Sequence, residues 1–135
     1  MLNNLNHIAL ILDGNKRWSN NNNKSSLYGY TKGFENIKKI VLYSISKQIP
    51  NLTMFTLSSE NFKRSSINLI YDIIYENFSE TFNELVEKKG VRIKIFGSRK
   101  NLPNKIIKIF NDIESLSLKN KNLNLNIAFN YGFKE

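Results

Sequence analysis

The strongest constraint on this chain is a regular alternation of two hydrophobic periods. Short apolar runs at residues 7–12 (HIALIL), 52–57 (LTMFTL), 91–96 (VRIKIF) and 123–129 (LNLNIAF) read as strands. Between them lie segments whose apolar residues recur at helical spacing. Over residues 31–46 these are Phe34, Ile37, Val41 and Ile45. The next segment, behind a cap at Ser65 or Ser66, carries Ile70, Ile73, Ile74, Phe78, Phe82, Leu85 and Val86 and stops at Gly90. The third opens at Pro103 and presents Ile106, Ile109, Phe110, Ile113 and Leu116. The predicted order is β-α-β-α-β-α-β, an α/β fold with a parallel sheet and flanking helices. The near-continuous run at 7–12 predicts a strand buried on both faces. Residues 19–26 (SNNNNKSS) predict a mobile surface loop. Only six residues follow position 129, so the last strand is expected to lack its covering helix, as in a chain cut short, and to expose an apolar edge.

Composition narrows the chemistry. At 135 residues, 41% apolar and 23% charged, the chain fits one globular domain. It has no cysteine, which excludes disulfides, thiolate metal sites and cysteine nucleophiles. The single histidine, His7, cannot make a multi-histidine metal site. No apolar run reaches the roughly 20 residues of a membrane span. The opening residues read as neither a signal peptide nor an anchor. A cytoplasmic location follows as the expectation. The net charge of +9 suggests anionic partners. Most of it is lysine in a chain also rich in asparagine and isoleucine, the residues of AT-rich codons. The arginines, Arg17, Arg64, Arg92 and Arg99, are therefore more informative, because their planar fork suits phosphate.

In a parallel sheet, ligands bind outside the carboxyl ends of the strands. Those ends carry Asp13 to Trp18 (DGNKRW), Ser58 to Arg64 (SSENFKR), Gly97-Ser98-Arg99 and Asn130-Tyr131-Gly132. Asp13 can offer carboxylate oxygen to Mg²⁺. Gly14 lets backbone N–H groups approach a phosphate that Lys16 and Arg17 can neutralise. An Asp-Gly turn followed by a solvated basic pair is the plain alternative. Ser58, Ser59, Glu60 and Asn61 suit either a polar headgroup or helix capping. Trp18 and Phe62 can shield a ligand or pack as core.

Together these segments resemble the cis-prenyltransferases, the undecaprenyl (polyprenyl) diphosphate synthases. The strings that carry the resemblance are HIALILDGNKRW (7–18), GYTKGFENIKKIV (29–41), LTMFTLSSENFKR (52–64), GVRIKIFGS (90–98) and LNLNIAFNYG (123–132). They are collinear with the family pattern over nearly the whole chain. The resemblance implies that residues 1–135 are the N-terminal portion of a single domain. The family is nearly twice this length, and its C-terminal part carries further diphosphate arginines, a magnesium glutamate and much of the dimer interface.

The resemblance implies an isoprenyl transferase that condenses isopentenyl diphosphate with an allylic diphosphate in Z geometry, assisted by Mg²⁺. Carried over, Asp13 is the magnesium and diphosphate aspartate, and Gly14, Asn15, Lys16 and Arg17 form the phosphate cradle. Trp18 lies beside the allylic chain. Ser58, Ser59 and Glu60 form a substrate loop with Phe62 and Arg64. Asn61 assists proton removal. An apolar tunnel is implied between the sheet and the helices bearing Ile37 and Ile74. Ser26 and Tyr30 stand where the family has an arginine and a histidine, and Ser98 where an acidic residue is usual. Implied too are a homodimer, a membrane-associating product with peripheral membrane contact, no nucleic-acid partner, and weak or no activity from this chain alone. The alternatives are a non-catalytic prenyltransferase-like subunit and a basic nucleic-acid-binding domain.

Overall fold

The computed structural model describes residues 5–58 and 67–132. Strands β1 (His7–Ile11), β2 (Asn51–Ser58), β3 (Val91–Phe96) and β4 (Leu123–Tyr131) form one all-parallel sheet in the order β1-β2-β4-β3. Between them run α1 (Asn15–Asn21), α2 (Ser26–Ser46), α3 (Ile67–Ile73), α4 (Ser79–Lys89) and α5 (Asn104–Leu116). A π-helical turn, Ile74–Phe78, joins α3 to α4. The α/β alternation expected from periodicity is therefore present.

Local chemistry explains the element ends. Ser25 caps α2, its hydroxyl accepting the Tyr28 N–H at 3.1 Å. Gly90 closes α4 at φ +67°, in the left-handed region that glycine enters without steric cost. Pro103 stands just before the first residue of α5, at the cap. The Ser65 or Ser66 cap lies outside the described residues.

One face of the sheet makes the core. Leu52, Met54, Val91, Ile93, Ile95, Leu123, Leu125, Ile127 and Phe129 pack against Ile37 and Val41 of α2, Phe78 and Phe82 of the central helical segment, and Ile106 and Phe110 of α5. Phe78, Phe82 and Phe110 form an aromatic chain with centroids 4.4 Å and 5.6 Å apart. The outer edge of β3 is sealed by α5. The Ile93 N–H donates to Ser117 Oγ at 2.9 Å and the Ile95 N–H to Glu114 Oε2 at 3.1 Å. An edge strand is thus denied to other chains without a further strand.

Three expectations are corrected. The first strand is an edge strand with an open outer face, and Ile11 is 79% exposed. A run of apolar residues reports hydrophobicity but not strand order. The last strand is interior, paired on both sides, so its apolar residues are covered. Residues 19–21 complete α1, and Ser19 is fully buried rather than part of a surface loop.

Candidate functional site

The carboxyl end of β1 builds the site. The Leu12 N–H donates to Phe55 O at 2.9 Å, extending the β1–β2 pairing to the strand tip. Asp13 follows, and Gly14 turns the chain at φ +90°. The Gly14 N–H donates to Asp13 Oδ1 at 2.7 Å, which orients the carboxylate. Helix α1 then begins, with the Trp18 N–H on Gly14 O at 2.8 Å. The N–H groups of its first turn have no helical acceptor.

Two glycines of α2 hold α1 in place. A Cβ on Gly29 would lie 2.8 Å from Ser19 Cβ, and a Cβ on Gly33 would lie 2.6 Å from Asn15 Nδ2. At Gly29, where a Cβ would also lie 2.4 Å from the backbone Asn15 O, only glycine lets the helices approach this closely. Ser19 is buried in that contact, its hydroxyl donating to Lys16 O at 2.8 Å.

The result is a cleft of about 600 Å³ between α1, α2, the central helical segment and the sheet. Its mouth is polar: Asp13, Gly14, Asn15, Lys16, Arg17, Asn20 and Tyr30. Its interior is apolar: Phe34, Ile37, Ile70, Ile73, Ile74, Phe78, Phe82, Phe110 and Phe129, with Thr56 and Ile127 from the sheet. The size lies within the range for ligand sites. A molecule with an anionic head and a hydrocarbon tail matches both ends.

Asp13 is the one carboxylate among the described residues lining the cleft. No group of three or more potential metal-ligating side chains occurs among the described residues. A lone exposed carboxylate suits a largely hydrated divalent cation.

Asp13, Gly14, Asn15, Lys16 and Arg17 are thus brought together at one mouth, with Ile37 and Ile74 inside. Trp18 is not among the lining residues; it is half-exposed and stacked on Tyr28, centroids 6.0 Å apart at 10°. Tyr30 lines the cleft, whereas Ser26 begins α2 and does not. Ser58 ends β2 opposite Tyr131. Ser59, Glu60, Asn61, Phe62 and Arg64 lie outside the described residues. The other two rim loops are structural. Arg99 bridges Glu114 and Asn111 and sits over the Phe110 ring at 5.9 Å. Asn130 is buried, its Nδ2 donating to Ser98 O at 2.7 Å.

Sequence reasoning missed Asn20, Gly29, Gly33 and Phe34 as parts of the site. The glycine pair, four residues apart inside a helical pattern, was the available signal. Asn20 was hidden in the asparagine run.

Comparison with known proteins agrees with this geometry. A family model for undecaprenyl diphosphate synthases matches residues 11–135. The chain is 39% identical over 129 residues to the ditrans,polycis-undecaprenyl-diphosphate synthase of Wigglesworthia glossinidia brevipalpis, covering 93% of this chain and 49% of the relative. It is 33% identical over 137 residues to the isoprenyl transferase of Rickettsia felis, covering 100% and 58%. The crystal structure of lavandulyl diphosphate synthase from Lavandula x intermedia, in complex with dimethylallyl diphosphate, superposes with a TM-score of 0.88 at 27% identity. That match covers 93% of this chain and 55% of the solved one. The chain spans about half the length of the curated relatives it matches. With a parallel sheet, a cleft at its carboxyl end and a family match over residues 11–135, this chain belongs to the undecaprenyl diphosphate synthase family of cis-prenyltransferases.

Proposed function

We propose that this chain forms the allylic-diphosphate half of an isoprenyl transferase, which joins isopentenyl diphosphate to an allylic diphosphate in Z geometry to build a polyprenyl diphosphate. The observation that carries this reading is the two-part cleft, with Asp13, Lys16 and Arg17 at its mouth and Phe34, Ile70 and Phe78 within. Cytoplasmic location, a homodimer and a product that partitions to membrane belong to the same reading. Among the described residues no helix is long and apolar enough to cross a membrane.

In the reaction, the carbon–oxygen bond of the allylic diphosphate breaks, the isopentenyl double bond attacks that carbon, and a proton leaves the condensing unit. Negative charge builds on the departing diphosphate. Arg17 and Lys16 neutralise it, and the backbone N–H groups after Gly14 donate to it. Donors fixed before the reaction need no reorganisation as the charge develops. Asp13 would hold a divalent cation beside the diphosphate, where Mg²⁺ would supply Lewis-acid neutralisation of the leaving group. The apolar interior takes the hydrocarbon chain and excludes water from the reacting carbon. Asn61 is assigned to proton removal, and Ser58, Ser59, Glu60, Phe62 and Arg64 to the substrate loop, on the resemblance of their segment. The relatives carry about as much chain again, so residues 1–135 alone are expected to bind allylic diphosphate and to condense poorly.

The test is titration with the slowly reacting analogue farnesyl thiodiphosphate, with and without Mg²⁺, followed through Trp18, the sole tryptophan. Saturable binding that Asp13→Ala weakens is expected. Binding that ignores Asp13, or none, would overturn the reading. Vigorous long-chain synthesis by residues 1–135 alone would overturn the assignment of half a site.

A further inference from the structure

Beside the cleft mouth lies an exposed patch of aromatic and basic side chains that the proposed reaction leaves unused. Trp18 follows the mouth residues in α1, yet it stands outside the cleft lining and is 46% exposed. It stacks on Tyr28 of α2, itself 39% exposed, and Leu27 in the same first turn of α2 is 46% exposed. Lys24 Nζ stands 5.4 Å from the centroid of the Tyr28 ring, and Lys32 Nζ 5.5 Å. Lys16 and Arg17 adjoin the patch on the side of the mouth. From Gly14 to Phe34 the chain carries these four cations and no carboxylate. Lys32 pairs with Glu35 at 3.3 Å, whereas Lys24 makes no ion pair among the described residues.

The chemistry of the patch selects its partner. Lysine is depleted from the cores of protein interfaces, so a ring flanked by two ammonium groups is a poor seat for a protein. A nucleic-acid strand needs free ring faces on which bases stack. Here Trp18 and Tyr28 present their faces to each other, and lysines stand over the Tyr28 ring. Tryptophan and tyrosine beside flexible lysines have the character of a membrane interface, where rings sit at headgroup level and ammonium groups meet lipid phosphate.

We infer that the Trp18 and Tyr28 patch seats this protein on an anionic lipid surface, with the cleft mouth beside the membrane plane. Trp18 and Leu27 enter the headgroup region, and Lys24 and Lys32 meet lipid phosphates. Arg17 lines the mouth and Trp18 follows it directly in α1, so the lipid surface adjoins the opening through which a prenyl chain passes. The choice of lipid rests on the proposed function, because a hydrocarbon product gives the mouth a reason to face a membrane. Binding is read without prenyl diphosphate, so its failure is distinct from a failure of allylic diphosphate binding.

The test mixes residues 1–135 with vesicles of phosphatidylcholine, alone or with about one third phosphatidylglycerol. Sedimentation measures affinity, and the emission of Trp18, the sole tryptophan, reports the contact. Binding at least about tenfold tighter to the anionic vesicles is expected, with a blue shift of Trp18 and loss in high salt. Lys24→Glu reverses one charge and should weaken binding about tenfold. Leu27→Asp should weaken it about as much, and an acid in the first turn of α2 favours the helix, so the fold is kept. Lys119→Glu is the control, with the same charge change beside the exposed Leu116 and Leu118 at the amino ends of the strands. It should bind as the parent does.

No binding, or equal binding to neutral vesicles, would overturn the inference. So would parental binding by either patch variant, or Trp18 emission that stays fixed while the protein sediments. Quenching of Trp18 by single-stranded RNA without any response to vesicles would also overturn it and assign the patch to nucleic acid.

Discussion

The side chain of Asn15 occupies the space over Gly33, so closely that a Cβ there would come within 2.6 Å of its Nδ2. Through this contact a helix of the core sets the position of α1, which bears Arg17 and follows directly on Asp13 and Gly14. One turn earlier the obstacle is the backbone of the same residue, since a Cβ on Gly29 would lie 2.4 Å from Asn15 O. Gly29→Ala would ordinarily favour the helix by up to about 1 kcal/mol. Here the added methyl overpacks the α1–α2 contact, which costs about 1–3 kcal/mol. The expected outcome is a lower melting temperature, with weaker binding of farnesyl thiodiphosphate. An unchanged melting temperature and affinity would show that the contact does not position α1.

Ser117 is fully buried and its hydroxyl accepts the Ile93 N–H of the edge strand. Ser117→Ala leaves that N–H without its partner, at a cost of about 1–3 kcal/mol. Urea denaturation should show a lower midpoint with an unchanged slope. Ser46→Ala, at an exposed position, should stay within about 0.5 kcal/mol of the parent.

Asp13 and Arg17 are exposed, so their replacement should alter binding and leave stability alone. Arg17→Lys keeps the charge and loses the bidentate fork. A hydrogen bond to a charged group is worth about 1.5–3 kcal/mol, so allylic diphosphate affinity should fall roughly ten- to hundredfold. Asp13→Asn should abolish the dependence of that binding on Mg²⁺. Calorimetric titration checks both, and a parental Mg²⁺ response in Asp13→Asn would remove the carboxylate from the metal site.

Lys38 Nζ donates to Glu84 Oε2 at 2.6 Å, and this hydrogen bond, with the lysine's charge, holds the Glu84 carboxyl below its ordinary 4.5. A carboxyl lowered in the folded state adds stability above its unfolded value and loses it as pH falls through the folded one. The difference in melting temperature between the parent and Glu84→Gln should therefore be largest at neutral pH. It should shrink as pH drops below about 4.5. The pair is half-exposed, so added salt should shrink it too.

Much of the architecture was legible from local patterns. The third strand, Val91–Phe96, coincides with the predicted run because its alternation is sharp and Gly90 marks its start. The polar mouth was legible as well, because Asp13 to Arg17 are contiguous and fall at a strand end. Other features depended on partners distant in sequence. Ser19 looked like loop because it begins an asparagine run, yet Gly29 buries it. Arg99 looked like a rim cation, yet Glu114 draws it to the sheet edge.

The sequence by itself determined the alternation of strand and helix, the polar residues at the strand ends and the family resemblance, because periodicity and contiguous motifs are properties of neighbouring residues. Tertiary structure alone decided that β1 lies at an edge and β4 inside, that two glycines seat α1, and that Ile11, Phe55 and Phe96 stand exposed on one rung. Those are pairings between residues far apart in the chain. Hydrophobicity says that a side chain seeks cover; only the packed arrangement of strands and helices selects what covers it.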